Sequence, residues 1–108
     1  MISWEEFEQC GIRVGTIVKV EDFPEAHKPT YKLWVDLGEL GIKKSSAHIV
    51  ELYNKKELVG KQVICVTRFQ PKKIGHFVSE VLTTGFYTDK GVVLAQPERK
   101  VLNGAKLL

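Results

Sequence analysis

The sequence predicts an all-β fold with short helices: a five-stranded barrel with an N-terminal helix and a short helix between strands 3 and 4. Three observations predict it: repeated runs of alternating apolar and polar residues, two Ser/Asn-x-x-Glu capping signatures before and between those runs, and a glycine inside the longest run. At 108 residues the chain is expected to be a single domain, 1–108. A chain this long buries roughly 65% of its unfolded surface, enough for one core but not for a large enclosed substrate cavity as well.

Ser3-Trp4-Glu5-Glu6 places Ser3 as N-cap and Glu6 at the third helical position, and Ile2 and Phe7 can close a hydrophobic staple. A helix within residues 1–11 therefore starts the chain. Ile12, Val14, Thr16, Val18 and Val20 then alternate with Arg13, Gly15, Ile17, Lys19 and Glu21 as one long strand, in which Gly15 marks a bulge or sharp bend. Pro24 and Pro29 cannot donate to a ladder, so 23–30 is a loop. Tyr31, Leu33, Val35 and Leu37 alternate with Lys32, Trp34 and Asp36, and the turn Gly38–Gly41 leads into a third strand from Ile42 to about Val50. Asn54-Lys-Lys-Glu57 repeats the capping logic for a short helix with Gly60 beyond it. Lys61–Phe69 is apolar in both phases, as a central strand is, and Pro71 ends it. Phe77 to about Phe86 and Val92–Ala95 supply further strands. This order is that of an OB-fold, a barrel that binds oligonucleotides on the face of strands two and three and through the loops after strands one and four; periodicity alone also fits a sheet sandwich of similar length.

The longest apolar runs, Val63–Val66 and Val92–Ala95, hold four residues against the roughly 20 of a membrane helix, so no membrane insertion is expected. The N-terminus lacks the basic and apolar regions of a secretory signal, which leads to the expectation of a mature chain starting here and a cytoplasmic location. Cys10 and Cys65 are expected to stay free thiols in that reducing compartment. His27, His48 and His76 lie apart, without metal-ligand spacing, and neither a nucleophile elbow nor a glycine-rich phosphate cradle is present. The expectation is a binding protein with no metal, no cofactor and no catalytic residues.

Charge is unevenly placed. Residues 1–26 carry six acids and two bases, whereas 43–73 carry eight bases and only Glu51 and Glu57 as acids. Such asymmetry points to an anionic partner, nucleic acid first.

Leu33–Gly41, Lys44-Ser-Ser-Ala47, Tyr53-Asn54, Glu57–Val63, Phe69–Gly75 and Ser79–Leu82 together resemble the CsaA family of export-related chaperones. That family is a branch of the tRNA-binding domain group, which also appears as the C-terminal extension of bacterial methionyl-tRNA synthetases and in EMAP-II-like domains. The resemblance covers nearly the whole chain. It implies an OB-fold homodimer with N-terminal helix and C-terminal segments at the subunit interface, tRNA as a partner recognised by shape, and unfolded or precursor proteins bound for secretion. Many tRNA-binding relatives have an Ile-Val-Ser-Gly type third strand and an Asn at the position of Arg68; Ser45-Ser46-Ala47 here supports the CsaA branch. Lys72-Lys73 stands in place of an Arg-containing pair, which keeps the charge but loses the planar fork.

The nucleic-acid-binding candidates are Lys43, Lys44, Arg68, Lys72 and Lys73 for phosphates, with Ser45, Ser46 and Ser79 as hydroxyl partners. Glu80 can accept from a backbone group or ribose hydroxyl or pair with a neighbouring lysine, and the pairing is the expectation. Trp34 shares its strand face with Lys32 and Asp36 and is the aromatic suited to an exposed role. With Phe77 it is the candidate for peptide binding.

Overall fold

Both capping signatures fold as the sequence dictates. In the computed structural model, which describes residues 1–108, the Ser3 and Glu6 side chains cap each other's backbone at the start of α1 (Trp4–Gln9), and Asn54 and Glu57 do the same for α2 (Lys55–Leu58). Between and after them run β1 (Ile12–Asp22), β2 (Tyr31–Asp36), a 3-10 turn (Gly38–Leu40), β3 (Ile42–Ala47), β4 (Gln62–Val66), β5 (Lys72–Ile74), β6 (Phe77–Ser79), β7 (Leu82–Thr83), β8 (Gly85–Thr88) and β9 (Gly91–Leu94).

Five strands form one sheet in the order β3-β2-β1-β4-β7, and β5–β6 and β8–β9 are separate antiparallel hairpins. The edges of the sheet approach each other: Glu80 and Val81 donate backbone N–H groups to the Lys44 carbonyl at 2.8 and 3.3 Å, and Ser45 Oγ donates to the Val81 carbonyl at 2.9 Å. The sheet is thereby a nearly closed barrel, consistent with the OB-fold, and β3 gains partners for groups an open edge would leave unpaired.

β1 serves both halves of the barrel, with Ile12–Thr16 against β4 and Thr16–Asp22 against β2. Its pairing with β2 runs to Ile17↔Val35 and resumes at Lys19↔Trp34, so Val18 is an extra residue. The bulge thus lies beyond Gly15, and it breaks the single alternation read from the sequence. Gly15 and Ile17 are buried before it and Val20 packs on the core after it, while Val18 is exposed. Gly15 has a different task. A Cβ there would stand 2.5 Å from Val35 Cγ1 and 2.8 Å from the Asp36 carbonyl oxygen, so glycine lets β2 lie directly across β1.

The core is lined by β2 residues Tyr31, Leu33 and Val35, with Ile17, Leu37, Leu58, Val63 and Cys65 around them. Each of the fully buried aliphatic chains contributes about 1.5–3 kcal/mol. The C-terminal segment runs beside the start of β1, where the Leu107 N–H donates to the Ile12 carbonyl at 2.9 Å, and Gln62 holds it through two bonds to the Val101 backbone. Both cysteines are free thiols.

Several sequence-based boundaries change. The third strand stops at Ala47, where its partner β2 begins at Tyr31, although the alternation carries on through exposed His48 and buried Ile49. The fourth strand, expected to reach Phe69, stops at Val66. The stretch expected as one strand from Phe77 to Phe86 is split among β6, β7 and the start of β8. β5 was not expected at all, since Lys72-Lys73-Ile74 has no apolar alternation; it exists through its pairing with β6.

Candidate nucleic-acid interface

Alternation along β2 fixes the site. With Leu33 and Val35 inside, Lys32 and Trp34 must point outward. Cross-strand register then sets Lys19, Trp34 and Lys44 in one row across β1, β2 and β3, with Glu21, Lys32 and Ser46 in the next. The Lys19 Nζ lies 4.5 Å from the centre of the Trp34 ring. Phe77 stands edge-on to Trp34 with ring centres 5.7 Å apart, and Phe23 packs edge-on to Phe77 at 5.3 Å. Lys32 and Lys44 approach the Phe77 ring at 5.8 and 5.4 Å. Three aromatics are thus ringed by three ammonium groups, a favourable cation–π arrangement. Glu21 is bridged by Lys19 at 3.3 Å and Lys32 at 3.5 Å, and the hydrogen bond from Lys19 is the main reason its carboxyl titrates below the usual range.

Two clefts on the barrel gather basic side chains. One, of about 520 Å³, lies between the loop after β1 and the β5–β6 hairpin and is lined by His27, Lys28, Ser46, His48, Lys72 and Lys73, with Glu25 as its one acid. The other, of about 360 Å³, gathers Arg13, Lys43, Arg68 and Phe69 beside Glu80. Arg13 is committed to Glu39 at 3.2 Å and to the Gly104 carbonyl at 3.1 Å. Lys28, Lys43, Lys44, Arg68, Lys72 and Lys73 form no ion pair. A third cleft, of about 320 Å³, is more apolar and lies beside the β8–β9 hairpin, with Ala47, Ile49, Leu82, Tyr87, Val92 and Leu94 in its walls.

The residues singled out in the sequence therefore divide. Lys72, Lys73 and Ser46 share the first cleft, Lys43 and Arg68 the second, and Lys44 stands in the row with Trp34. The structure gives others internal contacts. Ser45 is fully buried, donating to the Val81 carbonyl and accepting from Thr83 Oγ1 at 2.8 Å, so its hydroxyl is a strut of the barrel seam. Ser79 Oγ accepts the Ser46 backbone N–H at 3.1 Å, which ties β6 to β3 and leaves its hydroxyl hydrogen uncommitted, so the expected donor role stands. Phe77 is 9% exposed, so its ring supports Trp34 from beneath more than it presents a surface of its own. Glu80 accepts from the Lys44 backbone N–H at 2.9 Å, in place of the expected lysine ammonium. Sequence reasoning missed Lys19, Lys28, Lys32 and His48. The phase shared by Lys32 and Trp34 was a usable signal; Lys19 needed the bulge, and Lys28 and His48 needed the tertiary fold.

Residues 12–106 match the sequence profile of the family described as "Putative tRNA binding domain". The structure superposes on the CsaA chaperone protein of Picrophilus torridus with a TM-score of 0.92 and 44% identity, covering 100% of both chains. This chain is a CsaA-like member of the tRNA-binding domain family. The CsaA chaperone of Bacillus anthracis str. Ames matches with a TM-score of 0.92 and 41% identity, over 100% of this chain and 99% of that one. The methionine–tRNA ligase of Pyrococcus furiosus is 34% identical over 106 residues, which is 98% of this chain but only 14% of the ligase. The CsaA-like chain therefore corresponds to a small part of that enzyme's length.

Proposed function

We propose that this CsaA-like protein is a non-catalytic, cytoplasmic homodimer that binds tRNA by phosphate contacts and also holds unfolded or precursor polypeptides for export. The observation that carries the tRNA reading is the group of unpaired cations, Lys28, Lys72 and Lys73 in one cleft and Lys43 and Arg68 in the other. Cations already held by carboxylates would gain little from phosphate; these have no such partner to lose. Two separate clusters of cations on one small barrel suit recognition of RNA by the spacing of its phosphates, with little reading of base sequence.

Dimerisation is supported by exposed apolar side chains concentrated outside that face: Phe86 (64%), Tyr87 (95%), Leu102 (85%) and Leu108 (98%). Side chains of this size left in water are a standing drive to association. Polypeptide binding draws on the apolar cleft near Tyr87, with Trp34, half-buried against Lys19 and Phe77, as the second site offered.

Binding of tRNA measured over a salt series tests the first role, with affinity expected to fall steeply as salt rises because each neutralised phosphate releases counterions. No binding at low salt would refute it. Aggregation of an unfolded client tests the second: stoichiometric dimer suppresses it and Trp34→Ala loses that suppression. Full tRNA binding beside client aggregation at the rate of buffer alone would leave the narrower reading, a tRNA-binding protein without a chaperone role.

A further inference from the structure

The basic cleft contains one group whose hydrogen-bonding role can be fixed from its neighbours. Thr30 Oγ1 lies 2.7 Å from the Lys28 carbonyl oxygen and 2.6 Å from His48 Nδ1. A hydroxyl has a single hydrogen, and the carbonyl can only accept, so the Thr30 hydrogen goes to Lys28 and Thr30 Oγ1 must receive its second bond from a hydrogen on His48 Nδ1. Any other assignment sets two lone pairs against each other at hydrogen-bond distance. Thr30 is itself 5% exposed and packed in place, so the constraint on the ring is a fixed one. In the neutral imidazole a proton on Nδ1 leaves Nε2 as an acceptor, and Nε2 makes no hydrogen bond within the chain.

This matters because of what surrounds it. His48 and Ser46 form the ridge between the cleft of Lys28, Lys72 and Lys73 and the apolar cleft beside β8–β9. The three lysines are donors only and suit phosphate oxygens, which at neutral pH only accept. A phosphate gains nothing from an acceptor at Nε2. A ribose 2′-hydroxyl next to a bound phosphate does, because it has a hydrogen to give, and a deoxyribose has none. The other side-chain acceptors lining this cleft, the Glu25 carboxylate, the His27 ring and the Ser46 hydroxyl, have no buried partner that fixes them as Thr30 fixes His48.

We propose that His48, oriented by Thr30, accepts a hydrogen bond from a ribose 2′-hydroxyl and so lets this cleft distinguish RNA from DNA. The inference rests on the tRNA reading above and adds to it the residue that discriminates the sugar.

The test compares one tRNA transcript with the same transcript carrying 2′-fluoro nucleotides, which keep the A-form sugar and all phosphates but lack the 2′ hydrogen-bond donor. Wild-type protein is expected to prefer the hydroxyl form by about five-fold, the worth of one ordinary hydrogen bond. His48→Phe should lower affinity for the hydroxyl form to that of the fluoro form and leave fluoro binding unchanged; His48 is exposed, so folding should survive. Thr30→Val keeps the ring but frees its tautomer, and should lose part of the preference. Lys72→Ala with Lys73→Ala should weaken both ligands equally. Loss of both ligands in His48→Phe, a preference that persists in that variant, or no preference in the wild type would overturn the role of His48 while leaving tRNA binding intact. Failure of the wild type to bind either transcript at low salt would instead remove the tRNA reading, and this inference with it.

Discussion

Two hairpins project from the same barrel and are built for different company. β5–β6 carries Lys72 and Lys73, both exposed, and packs its one aromatic side chain, Phe77, onto Trp34 and Phe23. β8–β9 does the reverse: all four residues of β8 are exposed, including Phe86 and Tyr87, and Val93 opposite Phe86 is 40% exposed. Both are short, both stand outside the main sheet, and both are antiparallel. The first spends its apolar residue on its own chain and leaves charge for a ligand. The second leaves apolar surface without a cover. Charge and uncovered apolar surface are thus carried by separate hairpins of one small barrel.

The comparison breaks most visibly at β8. Phe86→Ser with Tyr87→Ser should weaken self-association by about 100-fold or more, the effect of removing two aromatic side chains from a packed contact. Light scattering at micromolar concentration should then give the 12.2 kDa of one chain, with tRNA binding per protomer retained. A dimer that survives the pair of changes places the interface elsewhere.

The mirror experiment is Lys72→Ala with Lys73→Ala. We expect about a ten-fold loss of tRNA affinity and a salt slope shallower by between about 1.4 and 1.8, the release from two phosphates, with mass in solution unchanged. An unaltered slope would mean that these ammonium groups merely face water.

Between the hairpins lies the seam that closes the barrel, and changes there should move neither readout. Ser45→Ala removes the acceptor of Thr83 Oγ1 and a donor to Val81, and should cost about 1–2 kcal/mol in chemical denaturation with tRNA affinity unchanged. A loss of affinity without loss of stability would return Ser45 to the ligand surface.

The smallest effect concerns Cys65, whose sulfur lies 3.9 Å from Thr83 Oγ1 in the same seam. Burial pushes its thiol from about 9.0 up to about 11. The folded state therefore holds this proton more tightly than the unfolded chain. The stability it contributes is complete below pH 9 and is lost as pH rises from 9 toward 11. A thiol reagent at pH 8 should label the partly exposed Cys10 and leave Cys65 untouched until the chain unfolds.

Much of the barrel was legible because the signals are local. Capping boxes need only residues three apart, and Tyr31, Leu33, Val35 and Leu37 announce a buried face by alternation alone. The hairpins were harder to read. β5 is a three-residue strand of two lysines and an isoleucine, held by its partner and by little in its own sequence. The site was legible as charge but not as geometry. The clustering of bases picked out Lys43, Lys44, Arg68, Lys72 and Lys73, yet no local rule separates them into two clefts or brings Lys28 and His48 to the first. Ser45 and Ser46 show the limit most directly. They are adjacent and chemically identical, and strand alternation sends one into the core and leaves the other at the rim of the basic cleft.

The extra residue at Val18 has one more consequence. Deleting it would leave a strand of unbroken alternation, Ile17 inward, Lys19 outward, Val20 inward, in unchanged register with β2. The shortened strand would be more regular and would build a poorer barrel, because the bulge supplies the bend by which one strand reaches partners on both sides. Inside and outside are thus encoded by which residues alternate, and curvature by where the alternation is allowed to slip. A change of length at this point should be tolerated less well than most changes of side chain at the exposed Val18.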